Sequence, residues 1–302
     1  MYICKMIYIM ISNLNNMAKR IFKITLTVVS IVIFWILLSL VQGVFSSAGT
    51  INKDITITAH RGGAGYGNEN TISCIEHSLD NGVESIEIDV HLTSDSRIVV
   101  CHDESVNRTT NGKGKISEMT FEQLRALRIV DKNGDETDET IPELCEILEL
   151  VDGKSHILLE IKNKAKHVGP LEQAVVDELN KYNAHEWVTV ISFGDKTLET
   201  IHQIDPSLRL EKLVFFRMIG LPIIFDGGFS YFSFKKYNYV ESINFFYNSV
   251  SKSLIKEMHD NNMRVRVWTI NELSHTPKLD IDGIITDYPD KFIEAFSNTS
   301  NY

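Results

Sequence analysis

Short apolar runs alternate with amphipathic stretches along most of the chain. Eight runs have the length and composition of β-strands and cover residues 55–60, 85–91, 156–162, 187–193, 208–216, 240–246, 265–271 and 282–289. Helical periodicity separates most of them, over residues 71–81, 142–151, 171–182, 196–204, 251–261 and 290–297. Because parallel strands are usually joined by crossover helices, this alternation predicts an α/β fold with a parallel sheet.

Three other segments do not follow this repeat. The apolar run 98–102 comes soon after the second strand and is expected to pair beside it. Residues 104–140 are polar and contain glycine, and they are long for a strand-to-helix loop. We expect them to fold over the face that carries the functional site. Residues 217–238 are rich in glycine and aromatic residues, and no helix is assigned there.

No proline-rich or low-complexity tract divides residues 53–302, so one domain is predicted there. Its length of about 250 residues is that of a single (β/α)8 barrel. A doubly wound open sheet is the alternative fold, but it usually carries a glycine-rich fingerprint after its first strand. The first strand here ends in His-Arg-Gly-Gly, residues 60–63, which does not match that fingerprint. The sequence therefore favours a TIM-type (β/α)8 barrel.

The longest apolar run precedes the predicted barrel. Residues 24–41 are uncharged and almost wholly apolar, and about 20 such residues cross a bilayer as a helix. We predict a single transmembrane helix over residues 24–45 that acts as an uncleaved anchor. A cleavable signal peptide is the alternative, with the small residues 46–48 as its cleavage site.

Charge is distributed unevenly along the chain. Residues 1–23 contain no acidic residue and four basic ones, Lys5, Lys19, Arg20 and Lys23. The positive-inside tendency puts this short segment in the cytoplasm and the body outside the cell membrane. The net charge of the chain is -10, so the body is acidic, which argues against nucleic-acid binding. A phosphate-bearing substrate would need local cations or a metal ion.

Four cysteines are present, Cys4, Cys74, Cys101 and Cys145. Only three lie in the body, and none forms a CxxC pair, so neither a disulfide framework nor a zinc cluster is indicated. Cys101 lies within an apolar run and is interpreted as a small buried hydrophobic residue.

Carboxylates lie on two of the predicted strands. Glu87 and Asp89 are two residues apart, so on a strand they point to the same face, and Glu160 lies on the third predicted strand. Adjacent carboxylates repel each other unless a proton or a cation lies between them. Oxygen ligands of this kind suit one divalent cation, Mg²⁺ or Ca²⁺. The structural alternative is a set of interior acids paired with arginine or lysine.

Two histidines end predicted strands at the same expected edge of the barrel. His60 ends the first strand, and His102 ends the apolar run that follows the second. The carboxyl ends of barrel strands form the catalytic face, and histidine exchanges protons near neutral pH. We therefore predict that the two act as general acid and base. A lone histidine at a strand end is more often a structural hydrogen-bonding group.

Further residues at the same edge could bind substrate. Arg61 and Lys162 are expected to bind phosphate, or to neutralise the carboxylates. Phe193 and Trp268 could line an apolar wall of the pocket or pack in the core. Asn70 is interpreted as the N-cap of the first helix.

The motifs together resemble those of the glycerophosphodiester phosphodiesterase family. They are AHRGG at 59–63, ENT at 69–71, IEIDVHLTSD at 86–95, VVCHD at 99–103, NRTTNGKG at 107–114, LEIK at 159–162, ISF at 191–193, VWTIN at 267–271 and DGIITDYPD at 282–290. They occur in the family's order and cover nearly the whole body. The chain is similar to the membrane-anchored bacterial type.

The resemblance implies an activity and roles for individual residues. The family hydrolyses glycerophosphodiesters to glycerol 3-phosphate and an alcohol, with a metal ion and two histidines. The corresponding positions are His60 and His102 for catalysis, Glu87, Asp89 and Glu160 for metal, and Arg61 and Lys162 for phosphate. Glu69, Phe193 and Trp268 are further candidates for substrate binding. Asn68 stands where the family usually has proline, and residues 217–238 match poorly, which leaves the leaving group open.

Two other functions are compatible with the pattern. A lysophospholipase D-like or sphingomyelinase D-like activity on lipid headgroups is the first, and a polymer with glycerophosphate links is a further candidate substrate. A non-catalytic binding module at the cell surface is the second, although such barrels typically lose the histidines or carboxylates that this chain retains.

Overall fold

The computed structural model describes residues 2–41, 55–162 and 168–298. The predicted domain boundary at residue 53, residues 42–45 of the predicted transmembrane helix and the terminal residues 299–302 lie outside this part of the chain.

The described residues form eight α-helices and twelve strands. The helices are α1 (Tyr2–Leu40), α2 (Ile72–Asp80), α3 (Phe121–Arg125), α4 (Leu144–Val151), α5 (Pro170–Lys181), α6 (Asp195–Ile204), α7 (Lys252–Asp260) and α8 (Pro289–Asn298). The strands are β1 (Thr56–Ala59), β2 (Ser85–Leu92), β3 (Ile98–Val100), β4 (His156–Ile161), β5 (Val188–Ser192), β6 (Arg209–Val214), β7 (Phe216–Arg217), β8 (Ile223–Phe225), β9 (Phe229–Tyr231), β10 (Ser242–Phe246), β11 (Arg264–Trp268) and β12 (Gly283–Thr286).

Eight parallel strands close into a barrel. Their order is β1, β12, β11, β10, β6, β5, β4 and β2, and the pairing of β2 with β1 closes the ring. This closure confirms the predicted TIM-type barrel and excludes the open sheet. All eight predicted strands and all six predicted helices are present, with small shifts at their ends. The run 98–102 pairs antiparallel with the end of β2 through β3, as expected.

The alternation of side chains in β2 explains how the site is formed. Ile86, Ile88 and Val90 are fully buried in the main apolar core, between the barrel and its helices. Because successive side chains of a strand point to opposite faces, Glu87 and Asp89 point into the barrel. The sequence pattern Ile-Glu-Ile-Asp-Val thus places two carboxylates in the interior.

The barrel interior is filled in layers. Leu158, Ile191, Leu213 and Ile285 form a buried apolar layer, and Phe193 and Trp268 pack against it. The neighbouring positions toward the start of β6 and β11 are polar, where Arg266 Nε donates to the buried carboxylate of Glu211 at 3.1 Å. The barrel interior below the carboxyl ends of the strands is therefore filled by side chains. A ligand can approach only the outer surface at those ends, where the candidate site lies.

The segment 104–140 has a small core of its own. Val106, Ile116 and Leu124 are buried there together with Val99 and Cys101. The helix α3 lies within this segment and was not predicted. Its signal is a capping box, in which Thr120 and Gln123 each bond the other's backbone N–H. The helix is too short for its periodicity to be recognised.

The segment 217–238 contributes a three-stranded antiparallel sheet, β7–β8–β9, for which no element had been predicted. Its strands are only two or three residues long, below the length at which alternation is informative.

The N-terminal helix is longer than predicted. It begins at Tyr2 and not at residue 24, because the intervening basic residues are themselves good helix formers. Met17–Leu40 is long and apolar enough to cross a membrane. Its most apolar 18-residue stretch has a mean hydropathy of 2.5, and none of that stretch is buried. A signal sequence would meet the same criteria.

Candidate active site

The carboxyl ends of the barrel strands bring all ten predicted site residues together. His60, Arg61, Glu87, His102, Glu160, Lys162, Phe193 and Trp268 line one cleft. The two others are joined to it by ion pairs. Asp89 lies 3.0 Å from Lys162, and Glu69 accepts a hydrogen bond from Arg61 at 3.0 Å.

Three buried carboxylates form the floor of the cleft. Glu87, Asp89 and Glu160 each place an oxygen within 4.8 Å of the others, and their exposed fractions are 2%, 0% and 7%. The parallel register of β2 and β4 sets this arrangement, because it pairs Asp89 with Glu160. The predicted carboxylate cluster is therefore a feature of the fold.

The cluster carries more negative charge than its protein neighbours neutralise. Lys162 Nζ lies 3.0 Å from Asp89 and 2.8 Å from Glu160, and Arg61 Nε lies 3.8 Å from Asp89. Two cations thus face three carboxylates. Burial and the neighbouring carboxylates raise the pKa of Glu87 well above its usual value. Burial also raises the pKa of Glu160, to about 7.

This donor set fits a hard divalent cation. All the ligand atoms offered are carboxylate oxygens, as Mg²⁺ and Ca²⁺ prefer, and the raised pKa values mark a site that lacks positive charge. A buried oxygen of Asp89, Oδ1, forms the 3.0 Å ion pair with Lys162 Nζ but makes no hydrogen bond of good geometry. The residues present therefore fit the metal that the sequence resemblance implies.

A tight turn after β1 orients Arg61 over the cluster. The backbone N–H of Arg61 donates to Glu87 Oε2 at 2.7 Å, and its own φ is 50°. Gly63 in the same turn has a φ of 99°, and a Cβ there would lie 2.8 Å from Ser78 Oγ. The turn therefore requires glycine at that position.

Each candidate catalytic histidine is held by a carboxylate. His60 Nδ1 lies 2.6 Å from Asp287 Oδ1, and His102 Nδ1 lies 2.7 Å from Asp103 Oδ1. This pairing favours a proton on Nδ1, which leaves Nε2 as the atom that can exchange protons. Burial lowers the pKa of His102, and the charges of Lys162 and Arg61 act in the same direction.

An arginine that the sequence reading did not select connects the rim of the cleft. Arg108, from the segment 104–140, donates to Glu69 Oε2 at 2.8 Å and to Asp103 Oδ2 at 2.8 Å. Burial alone would raise the pKa of Glu69, but Arg108 and Arg61 hold it below its usual value. The segment therefore reaches the functional face, as expected. Arg108 lies in the motif NRTTNGKG, which contributed to the family resemblance, but the sequence assigned no function to this arginine.

The interpretation of Asn70 as a helix cap is wrong. Thr71 is the N-cap of α2, since its hydroxyl accepts from Cys74 N–H. Asn70 is buried with a φ of 60°, and its Nδ2 donates to Asp89 Oδ2 at 2.8 Å. Its side chain also accepts from the backbone N–H of Asp89 at 3.2 Å. Asn70 therefore orients a candidate metal ligand.

Aromatic side chains form one wall of the cleft. Phe193 stacks on Phe215 with ring centroids 4.9 Å apart, and both contact Trp268 edge-on at 5.5 and 5.3 Å. Phe193 and Trp268 were expected either to line the pocket or to pack in the core. They do both, since they line the cleft and pack on the interior apolar layer. Cys101 is buried, as expected.

Comparison with solved structures shows the same fold. A phosphodiesterase from Oleispira antarctica, solved in complex with the product sn-glycerol-3-phosphate, superimposes with a TM-score of 0.71 at 23% identity and covers 80% of this chain and 96% of its own. A glycerophosphoryl diester phosphodiesterase from Silicibacter pomeroyi gives a TM-score of 0.70 at 21% identity and covers 86% and 98%.

Sequence comparison shows the family. Residues 60–291 match the model of the glycerophosphoryl diester phosphodiesterase family. A glycerophosphodiester phosphodiesterase from Bacillus altitudinis is 32% identical over 244 residues, which cover 79% of this chain and 96% of that protein. One from Caldanaerobacter subterraneus is 31% identical over 242 residues, 78% and 96% of the two chains. The chain belongs to the glycerophosphoryl diester phosphodiesterase family of enzymes.

Proposed function

We propose that this enzyme hydrolyses glycerophosphodiesters to glycerol 3-phosphate and an alcohol, with His60 and His102 as general acid and base. The observation that supports this most directly is the cleft itself. It joins two histidines, each held by a carboxylate, to a buried cluster of three acidic residues. A phosphodiester that enters the cleft meets both proton-exchanging groups and the two cationic side chains of Arg61 and Lys162.

Glu87, Asp89 and Glu160 would hold one Mg²⁺ or Ca²⁺. When bound, such a cation supplies positive charge to the phosphoryl oxygens. Arg61 and Lys162 add fixed positive charge at the same place, and their ion pairs with Asp89 keep both oriented before substrate arrives. The chain thereby offsets the repulsion between its acidic body and a phosphate.

The two histidines divide the proton transfers. One takes the proton from the attacking oxygen through Nε2, and the other gives a proton to the oxygen of the departing alcohol. Asp287 and Asp103 orient the rings and stabilise the protonated forms, because each accepts a hydrogen bond from Nδ1. Phe193 and Trp268 exclude water from one side of the cleft.

We also propose that α1 anchors the enzyme in the cell membrane, with the barrel outside the cell. Support comes from the exposed apolar surface of Met17–Leu40 and from the basic residues at its start. Retention of the helix in the mature protein, measured by mass spectrometry of the membrane fraction, tests the anchor against a cleaved signal peptide.

The catalytic proposal is tested with the purified full chain in detergent. Release of glycerol 3-phosphate from glycerophosphocholine is measured with Mg²⁺, with Ca²⁺ and with a chelator, for the natural protein, His60→Ala and His102→Ala. We expect metal-dependent release that falls by about 10²–10⁴-fold in each variant. His259→Ala serves as a matched control. This histidine also pairs with an aspartate, Asp282 at 2.8 Å, but it lies in α7 just before β11 begins, at the end of the barrel opposite the cleft.

Substrate choice is read in the same assay with lysophosphatidylcholine beside glycerophosphocholine. Release of choline from the lysolipid alone would move the assignment to a lysophospholipase D. No release from either substrate by a folded, metal-loaded protein would contradict the proposal.

A further inference from the structure

One side of the sheet β7–β9 carries a group of aromatic residues, of which Phe229 and Tyr231 are exposed and Phe216 is buried. The register pairs Phe216 with Phe225 and Phe225 with Phe229, so these side chains share a face, and Tyr231 lies on it two residues further along. Phe229 and Tyr231 are 57% and 63% exposed, unusually high for such large side chains. We call Phe216, Phe225, Phe229 and Tyr231 the aromatic face.

The opposite side of this sheet packs on the body. Ile224 is fully buried in the main core, and the guanidinium of Arg217 lies 5.0 Å from the ring of Phe232. Lys212, from the barrel strand β6, bonds Asp226 at 2.8 Å in the turn between β8 and β9. The sheet is therefore fixed to the barrel, and Phe229 and Tyr231 of the aromatic face point outward.

The end of the N-terminal helix is bonded to the same sheet. Trp35 Nε1 donates to the carbonyl oxygen of Ile219 at 3.1 Å, and Ile219 N–H donates to Ser39 Oγ at 3.3 Å. Ile219 lies in the loop that joins β7 to β8. The last two turns of α1 therefore hold this loop at the point where the helix meets the body.

The length of the helix locates this contact with respect to a membrane. Lys23, the last cation of the helix, and Ser39 are sixteen positions apart. At about 1.5 Å per residue they span about 24 Å, compared with about 30 Å for a bilayer core. A helix with Lys23 at the inner boundary thus places Ile219 close to the outer boundary of the hydrocarbon.

The β7–β8 loop is suited to that depth. Residues 218–225 carry no charged side chain. Met218 N–H donates to Ile223 O at 2.8 Å, and Phe232 N–H donates to Pro222 O at 2.9 Å. With the two bonds to α1, these contacts satisfy backbone groups that hydrocarbon would leave without partners.

We propose that the aromatic face and the β7–β8 loop rest in the outer interfacial layer of the lipid bilayer. The proposal depends on the anchor proposed above. Tyrosine, tryptophan and phenylalanine suit this layer, because their large apolar rings replace water at the boundary. The aromatic face thus contacts lipid, because α1 holds the enzyme at the membrane.

This docking would hold the candidate active site at the membrane. The ring centroid of Phe225, on the aromatic face, lies 5.8 Å from that of Phe215. Phe215 in turn stacks on Phe193 in the wall of the cleft. The surface on the bilayer and the wall of the cleft are therefore parts of one aromatic cluster. The barrel would have a fixed tilt on the membrane, with its open end near the headgroups.

The test places a fluorophore on the aromatic face of the full-length chain. Phe229→Cys is labelled in a Cys4→Ser, Cys145→Ser background, since Cys74 and Cys101 are buried. The protein is reconstituted into phosphatidylcholine vesicles with brominated acyl chains, which quench fluorophores in contact with lipid. Lys154→Cys, exposed just before β4 at the opposite end of the barrel, is the matched control. We expect strong quenching at position 229 and none at 154.

Three other results would overturn the proposal in distinguishable ways. Equal quenching at the two positions in vesicles that retain the protein would show that the aromatic face does not meet lipid. A label at 229 that neither brominated lipid nor aqueous iodide quenches would show that a protein, or a second copy, covers the face. Protein that does not float with the vesicles in alkaline carbonate would refute the anchor. None of these readings depends on catalytic activity.

Discussion

His60 and Asp287 lie 227 positions apart in the chain, yet Nδ1 of the histidine is 2.6 Å from Oδ1 of the aspartate. The closure of the barrel brings them together, because β1 pairs in register with β12 and both residues directly follow those strands. Asn271 completes the arrangement by donating to Asp287 Oδ2 at 2.6 Å. The candidate acid–base residue is therefore oriented by the far end of the sequence.

Asp287→Asn should lower kcat by about 10- to 100-fold while leaving the fold intact, since the amide no longer accepts the Nδ1 hydrogen bond in a fixed orientation. Steady-state kinetics measure the loss. Asp205→Asn, which alters the 2.8 Å partner of His185 away from the cleft, is the control. An unchanged kcat in Asp287→Asn would show that this pairing is purely structural.

Glu87→Gln should separate metal binding from stability. Burial and two neighbouring carboxylates raise the pKa of Glu87, so removing its charge should not lower the unfolding temperature in chelator. The rise in unfolding temperature that Mg²⁺ or Ca²⁺ gives the natural protein should disappear. Thermal unfolding with and without metal measures both effects. Glu118→Gln, an exposed acid, should keep the full metal-induced rise, and the same rise in Glu87→Gln would argue against this ligand.

Asn70→Ala should lower the free energy of unfolding by about 1–3 kcal/mol, because Asp89 loses a buried donor. It should also weaken the metal-induced rise in unfolding temperature, since Asp89 is no longer held in place. Asn70→Gly tolerates the positive φ and so isolates the lost hydrogen bonds from backbone strain. Urea unfolding compares the three proteins. If both variants were as stable as the natural protein, the bond to Asp89 would have no energetic role.

Acid should destabilise the barrel through His156. Burial, assisted by Arg209 and Arg266, lowers the pKa of this histidine to about 4, from about 6.5 in an unfolded chain. Between these values the unfolded state binds a proton that the folded state does not, so stability falls as the pH drops from about 6.5 to about 4. His156→Gln can still bond Thr189 but does not titrate. Urea unfolding at pH 7 and pH 5 should show a smaller loss in the variant, and equal losses would exclude His156 as the cause.

Lys212→Met should be strongly destabilising. Lys212 is fully buried and lies 2.8 Å from Asp226 and 3.2 Å from Asp195, so the change leaves two acids without their shared cation. A loss of about 3–5 kcal/mol is expected from urea unfolding. Lys236→Met removes a partly exposed partner of Asp195 and should cost far less. Similar losses of unfolding free energy in both variants would show that the burial of Lys212 does not determine how much its ion pairs contribute to stability.

Local pattern and strand-end position, together with the family resemblance, were sufficient to predict the barrel and the candidate site residues. The alternation in Ile-Glu-Ile-Asp-Val directs two carboxylates inward, and strand ends collect at one face of a parallel barrel, so all ten predicted site residues meet. The boundaries of the predicted elements also held within a few residues, because length and periodicity are local properties.

Only the tertiary structure decided which groups orient these residues. Asparagine is a residue type that favours helix caps. At Asn70, however, the backbone has a positive φ and the side chain bonds Asp89. The pairing of His60 with Asp287, the contacts of Arg108 and the bond between Trp35 and Ile219 each depend on elements distant in sequence. The amino-acid sequence by itself determined which residues are candidates for the chemistry, since residue type and periodicity are properties of the sequence. Barrel closure determined their partners, because contacts across a closed sheet are set by register and not by spacing along the chain.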